Sequence, residues 1–275
     1  MPEAALSNKS AKELAYLHDL YVATDWSERF AELVDKNIKL PDDGQFLYVE
    51  AGTGNHVIEL RGKLDEKVEV FGTESDAERL NIAQAKSKAV NAPIHFQNSY
   101  PHKLNFPDAA FGTVICDASF LATTRLLAVW QELFRVVDRK GNVAFVLPTA
   151  GSFGEFFSIY WEALYALEMT EMAAEIENLI NNLPTISDVE DVAANAGFKK
   201  IEVNTSTELF EFETGDRFLR SPLISDFLFP TWTGFVPEAK QVKLMRTIEK
   251  VINDSNEGHN FLLTVKMTLV TATKN

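Results

Sequence analysis

The first half of the chain alternates short apolar runs with longer segments of helical periodicity. Runs at residues 46–49, 68–71, 94–97 and 114–116 predict four buried strands, and residues 143–147 predict a fifth. Continuous apolar runs are typical of strands that are covered on both faces. Strands that alternate with helical segments in this way predict a parallel sheet with helices on both sides.

Helical segments are predicted before and between these strands. Residues 10–39 and residues 125–137 repeat apolar positions at helical spacing. The tetrapeptides Ser75–Glu78 and Ser187–Glu190 match the capping box, in which Ser and Glu satisfy backbone amides at a helix start. Gly197 is suited to end the second of these helices.

The second half of the chain is less regular until its last strand. Residues 153–182 predict aromatic-rich helix, residues 198–203 a sixth strand, and residues 206–236 an irregular apolar segment with several prolines. A helix near 238–253 precedes residues 261–269, which alternate apolar and polar positions. That period of two indicates an antiparallel strand. The expected fold is α/β: a Rossmann-like, seven-stranded, mostly parallel sheet with the last strand antiparallel.

Composition and charge narrow the class of protein. The chain has 275 residues, 46% of them hydrophobic, and a formal net charge of −14, which disfavours nucleic acid and anionic membrane surfaces as partners. Its one cysteine, Cys116, lies in an apolar run and excludes an intramolecular disulfide; no metal site is expected, since His95 and His102 lack metal-ligand spacing. Without a signal peptide or an apolar span, we expect a cytoplasmic protein.

Candidate chemistry lies directly after the strands, where open parallel sheets bind ligands. Glycines let the backbone approach a ligand closely, and a carboxylate after the second strand can accept hydrogen bonds from ribose hydroxyls. Short polar side chains after the third strand could read an adenine edge. The residues at these positions are Glu50, Ala51, Gly52, Thr53 and Gly54 after the first strand, Glu74 and Ser75 after the second, Asn98 and Ser99 after the third, and Asp117 after the fourth.

This order of motifs resembles the class I S-adenosylmethionine (SAM)-dependent methyltransferases. Glu-x-Gly-x-Gly, an acidic residue closing strand two and a polar residue closing strand three all match, as do segments 104–111, 134–142 and 196–198. The resemblance covers residues 44–203 and the final strand. It implies one methyltransferase domain over residues 1–275.

The resemblance also divides that domain. It implies N-terminal helices at 1–43, a cofactor-binding half at 44–148, and insertions at 149–186 and 206–260 that cover the acceptor. The apolar character of these insertions favours a small, partly hydrophobic acceptor, methylated by direct in-line transfer. A homodimer is left open as the assembly.

Roles for the site residues follow from the resemblance alone. SAM is the implied cofactor. Glu50 would hold the methionine amino group, commonly through water, and the backbone of Ala51, Gly52 and Gly54 would pass beneath the methionine. Glu74 would bind the ribose hydroxyls. Asn98 with Ser99 would contact adenine. Asp117 would lie near the methionine end. Apart from the resemblance, Asp117 is the candidate general base if the acceptor atom is an oxygen or a neutral nitrogen, and the alternative is that it caps the following helix.

Departures from the family pattern keep other interpretations open. His56 stands where the family has a third glycine, Gly112 replaces a common Asp, and Asn142 replaces a common glycine. We expect His56 to be a helix-start residue shielded by packing rather than a base. The alternative function is a catalytically inactive, methyltransferase-like binding or scaffold protein. A nicotinamide-dependent oxidoreductase is disfavoured, because Val57 occupies the position where its fingerprint needs glycine.

Overall fold

The computed structural model describes residues 9–256 and 258–275, and it divides the chain into two compact units. The larger unit contains residues 11–149, 184–206 and 267–275, and the smaller one contains residues 150–183 and 207–266 together with residues 9 and 10. Residues 1–8 of the expected N-terminal helical region lie outside the described residues.

A seven-stranded mixed sheet organises the fold. Its strands are β1 (Gly44–Val49), β2 (Val68–Glu74), β3 (His95–Asn98), β4 (Phe111–Asp117), β5 (Val137–Pro148), β6 (Lys199–Phe212) and β7 (Phe261–Thr273), in the order β3-β2-β1-β4-β5-β7-β6. Neighbouring strands from β3 to β5 pair in parallel, whereas β7 pairs antiparallel to β5, from Asn142↔Thr273 to Pro148↔Met267. The fold class expected from the sequence, including the antiparallel last strand, is confirmed.

Helices connect and flank the strands. The α-helices are α1 (Ala11–Leu17), α2 (Glu28–Asn37), α3 (Asn55–Lys63), α4 (Ala77–Ala89), α5 (Leu126–Val136), α6 (Gly154–Ala166), α7 (Ala173–Asn181), α8 (Ile186–Asn195), α9 (Gly215–Arg220), α10 (Phe229–Thr233) and α11 (Glu238–Ser255). Short 3₁₀ turns cover Thr123–Arg125 and Thr170–Met172, and π-helical segments cover His18–Ser27 and Leu223–Leu228. Within residues 9–256 and 258–275, none of these helices has both the length and the apolarity to cross a membrane.

Both predicted capping boxes are shifted in the structure. Asp76, not Ser75, caps α4, because its carboxylate accepts hydrogen bonds from the amides of Glu78 and Arg79. α8 begins two residues earlier than Ser187 predicts, with Thr185 as the cap and Asp188 as its reciprocal partner. In both places several adjacent residues have a side chain able to cap, and tertiary contacts select among them. Because Ser75 does not cap α4, its side chain can make a different contact.

The prediction of an irregular segment at 206–236 was wrong. β6 continues to Phe212, and α9, the π-helical segment Leu223–Leu228 and α10 follow it. β6 is an edge strand with mostly exposed or half-buried residues, so the continuous apolar run that marks the inner strands is missing. Pro222 and Pro230 stand at helix starts, where proline is tolerated.

The smaller unit is organised around aromatic side chains. Phe156 of α6 stacks on Trp232 of α10, with ring centroids 4.5 Å apart, and Phe218 of α9 packs beside Phe156 at 5.5 Å. The buried aromatic positions of α6 are therefore used for core packing within this unit. That segments 149–186 and 206–260 cover an acceptor stays a prediction.

The main core of the larger unit is centred on Trp130 of α5. Its ring is fully buried, stacks on Phe145 of β5 at 4.7 Å and meets Phe198 edge-on at 5.3 Å. Trp130→Ala is expected to lower the free energy of unfolding by about 3–5 kcal/mol, because the truncation leaves a large cavity. Urea unfolding followed by circular dichroism measures this.

Leu127, on the same helix and 44% exposed, provides the matched control. Leu127→Ala should change the free energy of unfolding by less than about 0.5 kcal/mol, as surface substitutions do. Equal losses for the two variants would mean that α5 does not bury the face assigned to it.

Candidate functional site

The carboxyl ends of four parallel strands bring the predicted site residues to one edge of the sheet. β1 pairs with β2 and β4 up to Val49, and Glu74 at the end of β2 is level with Asn98 at the end of β3. Next to this edge lies a cavity of about 360 Å³ within the larger unit. Seven of the ten predicted residues line it: Glu50, Ala51, Gly52, Thr53, Glu74, Ser75 and Asp117.

The glycine loop after β1 is held by backbone hydrogen bonds. The Ala51 amide donates to the Thr73 carbonyl at 2.8 Å, and the Gly52 amide donates to the Glu74 carboxylate at 2.8 Å. Gly52 and Gly54 both have positive φ, of 57° and 89°, which side chains disfavour. Gly54 also leads into α3, where a Cβ would lie 3.0 Å from the Cβ of Ala83. The loop therefore needs both glycines.

A direct test of the loop is Gly52→Ala. The new methyl would lie 2.9 Å from the His18 ring in a left-handed backbone conformation, so the variant should lose about 1–2 kcal/mol of stability. Gly62, in α3, has open space around its Cα, and Gly62→Ala should instead gain about 0.5–1 kcal/mol. Urea unfolding compares the two. Equal stability of both variants would contradict the loop geometry.

Glu74 is buried, and both of its carboxylate oxygens are hydrogen-bonded within the protein. One carboxylate oxygen accepts the Gly52 amide, and the other accepts the Asp76 amide at 2.9 Å and pairs with the Arg79 guanidinium at 2.8 Å. Burial raises the pKa of Glu74, while Arg79 and the two amides oppose that rise. Glu74 thus anchors the glycine loop, and any ribose bound here would share its carboxylate with Arg79.

Glu50 has a different environment. Its backbone lies in the left-handed region, with φ of 56°, and one carboxylate oxygen accepts the Ser75 hydroxyl at 2.9 Å. The other oxygen is buried and has no hydrogen-bond partner among the described residues. Burial, followed by the negative charge of Glu74, raises the pKa of Glu50 to about 8. Such an orphaned oxygen fits a positively charged or hydrogen-bond-donating ligand group.

The side chains of Asn98, the last residue of β3, and of Ser99 use their donors within the protein. The Asn98 side-chain amide donates to the carbonyls of Glu74 and Ser75, at 2.8 and 3.0 Å, and the Ser99 hydroxyl donates to the Lys103 carbonyl. Neither lines the cavity, and Gly54 does not either; the following residues, Tyr100–His102, line it instead. An adenine contact of Asn98 or Ser99 stays a prediction.

Asp117 and the segment after it form another wall. One Asp117 oxygen accepts the Ser119 amide at 3.0 Å, and burial raises the pKa of the carboxyl group. The cavity wall continues through Phe120 and Leu121, which are apolar. A carboxyl group with a raised pKa beside an apolar wall is suited to proton transfer.

The sequence did not identify the contribution of the N-terminal helical region to this cavity. The π-helical segment His18–Ser27 supplies His18, Val22 and Ala23 to the wall. His18 is buried against Gly52, and burial, assisted by the charge of Arg79, lowers its pKa to about 3. Helical spacing indicated only which face of this region is apolar, so nothing in the sequence pointed to His18 as a site residue.

His56, at the position of the third glycine, lies in the second position of α3 with its side chain 9% exposed. The prediction of a shielded helix-start residue is confirmed. Its two ring nitrogens contact Tyr48 and Asp35, each at 3.0 Å. Cys116 is buried, as expected. Among residues 9–256 and 258–275, no group of three or more His, Cys, Asp and Glu side chains could hold a metal ion.

Known proteins resemble both the sequence and the fold. Residues 46–141 match the model of a methyltransferase domain family. Demethylmenaquinone methyltransferase of Deinococcus radiodurans is 30% identical over 119 residues, which are 42% of this chain and 49% of that protein. The chain thus spans about half the length of the curated relative it matches.

Solved structures share the fold at low sequence identity. The YcgJ protein of Bacillus subtilis is 13% identical, with a TM-score of 0.59, over 90% of this chain and 99% of its own. Phosphoethanolamine N-methyltransferase 2 of Haemonchus contortus, in complex with phosphomonomethylethanolamine and S-adenosylhomocysteine, is 13% identical, with a TM-score of 0.55, over 97% of this chain and 61% of its own. The family resemblance seen in the sequence is confirmed: through residues 46–141 this chain carries a methyltransferase domain, built on the class I SAM-dependent methyltransferase fold.

Proposed function

We infer that the protein is a SAM-dependent methyltransferase that acts on a small, partly hydrophobic acceptor. The observation that carries this proposal is the buried, unpartnered oxygen of Glu50, which faces a cavity beside the glycine loop of a methyltransferase domain. An ammonium group is the complement that such an oxygen needs. The methionine end of SAM carries one.

The residues around the cavity supply the remaining contacts of this proposal. Glu50, Ala51, Gly52, Thr53 and Ser75 would hold the methionine end, and Glu74 would accept the ribose hydroxyls while it keeps the glycine loop in place. The adenine would lie beyond Glu74, toward the segment after β3. SAM supplies an activated methyl group, so the protein has only to align the acceptor and exclude water.

Asp117 is the proposed residue at the reacting end. Burial keeps its carboxyl group readier to take a proton than an exposed aspartate, and the apolar side chains Phe120 and Leu121 follow it in the cavity wall. An acceptor that is not a polymer agrees with the relatives: one is named a demethylmenaquinone methyltransferase, and the other was crystallised with phosphomonomethylethanolamine.

Calorimetry with S-adenosylhomocysteine (SAH), the product of methyl transfer, tests the proposal against its two rivals. The proposal expects saturable binding at one site per chain, and no binding of NADH. An inactive scaffold protein with a closed site would bind neither ligand. An oxidoreductase would bind NADH, although the buried Val57 stands where its phosphate loop needs glycine.

A further inference from the structure

Three polar side chains from different elements, those of Tyr48, His56 and Asp35, are joined in a row by hydrogen bonds in the larger unit. We call this group the relay. The Tyr48 hydroxyl of β1 lies 3.0 Å from Nδ1 of His56 in α3, and Nε2 of His56 lies 3.0 Å from a carboxylate oxygen of Asp35 in α2. Tyr48 is 4% exposed and the Asp35 side chain is 25% exposed, so the relay runs from the buried sheet toward the surface.

The hydrogen-bond partner of each side chain determines where the hydrogens lie in the relay. The hydrogen bond from His56, together with Lys63, holds the pKa of Asp35 at about 2, so Asp35 is ionised and can only accept. In a neutral His56, Nε2 therefore carries the hydrogen, and Nδ1 is left as an acceptor. Tyr48 must then donate its hydroxyl hydrogen to His56. Its own oxygen lone pairs remain available for a second hydrogen bond.

Tyr48, at the buried end of the relay, lies at the proposed reaction site. Tyr48 and His56 both line the cavity that Glu50 and Asp117 line, and Tyr48 precedes Glu50 by two residues in β1. The same cavity wall contains the apolar side chains of Val22, Phe120 and Leu121. A proton-accepting group beside apolar walls suits an aromatic acceptor with a weakly acidic hydroxyl group.

We propose that Tyr48 takes the hydroxyl proton of an aromatic acceptor while passing its own proton to His56, which Asp35 stabilises as an imidazolium. This proposal rests on the proposed function, and for an aromatic hydroxyl acceptor it gives the proton-accepting role to Tyr48 in place of Asp117. The acceptor oxygen, or a ring carbon conjugated with it, forms the bond to the methyl carbon. The bond from that carbon to sulfur breaks with its electron pair remaining on sulfur, which leaves SAH. The positive charge of the sulfonium is thereby replaced by that of His56.

Other titratable groups also face the relay. Burial, followed by the charge of Asp117, raises the pKa of Tyr48 well above its usual value. Lys63 pairs with Asp35 from the same helix as His56. Tyrosinate is therefore not formed, and the proton moves through a neutral phenol. Because several groups titrate nearby, the test varies the ionisation of the acceptor rather than the pH.

The experiment compares two probes of the same shape. Transfer of a labelled methyl group from SAM is measured to 2-naphthol, which must lose a proton, and to 2-naphthalenethiol, at a pH where the thiol is already ionised. Tyr48→Phe should slow transfer to naphthol by about 100-fold or more, the contribution typical of general base catalysis, and transfer to the thiolate by less than about 3-fold. His56→Gln should show the same selectivity, whereas His95→Gln, at an exposed position in β3, should change neither rate.

Two controls separate the relay from a structural role and from the proposed function. Both relay variants should bind SAH within about 3-fold of the wild type, because the Tyr48 hydroxyl and the His56 ring make their hydrogen bonds to each other and to Asp35, not to the glycine loop or Glu74. Nitrogen NMR of the wild-type imidazole should show the proton on Nε2 of His56. Equal slowing of both probes, a proton on Nδ1, or no transfer to naphthol by protein that binds SAH would overturn the relay. Failure to bind SAH would instead overturn the proposed function.

Discussion

Glu74→Gln is expected to lower the affinity for SAH by about 100-fold, since hydrogen bonds to a charged group contribute up to about 3 kcal/mol. The physical reason is twofold. The carboxylate is the proposed acceptor for the ribose hydroxyls, and it also holds the Gly52 amide and the Arg79 guanidinium. A glutamine can accept through one atom only, so the loop and Arg79 cannot both keep their partner. Calorimetry with SAH measures the change.

The control for this variant is Glu69→Gln. Glu69 lies in the same strand, is half exposed, and contacts Gln45 and His95 away from the cavity. The Glu69→Gln variant should bind SAH with the same affinity as the wild type. Unchanged affinity in Glu74→Gln, with the fold verified by circular dichroism, would show that the ribose assignment is wrong.

Glu50→Gln is expected to stabilise the cofactor-free protein increasingly as the pH rises. Burial, followed by the charge of Glu74, raises the pKa of Glu50 from its ordinary value of 4.5 to about 8 in the folded protein. The contribution of Glu50 to the free energy of unfolding is therefore fully present below pH 4.5. It is lost as the pH rises toward 8, by at most about 1.4 kcal/mol per pH unit. Glutamine does not titrate, so the variant's advantage over the wild type should grow to a few kcal/mol.

The same variant should bind SAH and SAM more weakly, because a neutral amide cannot balance an ammonium group. Urea unfolding at several pH values, paired with calorimetry, measures both effects; Glu66→Gln, at an exposed position, should show neither. A stability difference that stays constant with pH would contradict the burial of an uncompensated carboxyl group at Glu50.

The strand ends of this site could be predicted from the sequence because topology dictates where they meet. Once the apolar runs predict a parallel sheet, Glu50, Glu74 and Asp117 must lie at one edge, whatever the details of packing. The antiparallel last strand was predictable for a similar reason: β7 alternates buried positions with exposed or half-buried ones up to Lys266, and both faces are buried only over residues 267–270.

The helical side of the cavity could not be predicted in this way. His18 and Arg79 reach the site from helices. The position of a residue within a helix does not determine whether it lies near the end of a strand. Tyr48 belonged to an apolar run and was interpreted as core, while Asp35 resembled any surface carboxylate. Only the three-dimensional fold brings both of them to His56.

Hydrogen exchange of the wild-type protein with and without SAH tests the central claim most directly, because it detects binding and locates it together. The account predicts slower exchange in peptides that cover residues 48–56, 74–79, 100–103 and 117–122, all of which contribute to the cavity wall. Residues 238–255 of α11 should not change. Unchanged exchange at saturating SAH, or protection confined to segments outside the cavity wall, would contradict the assignment of this cavity as the SAM site.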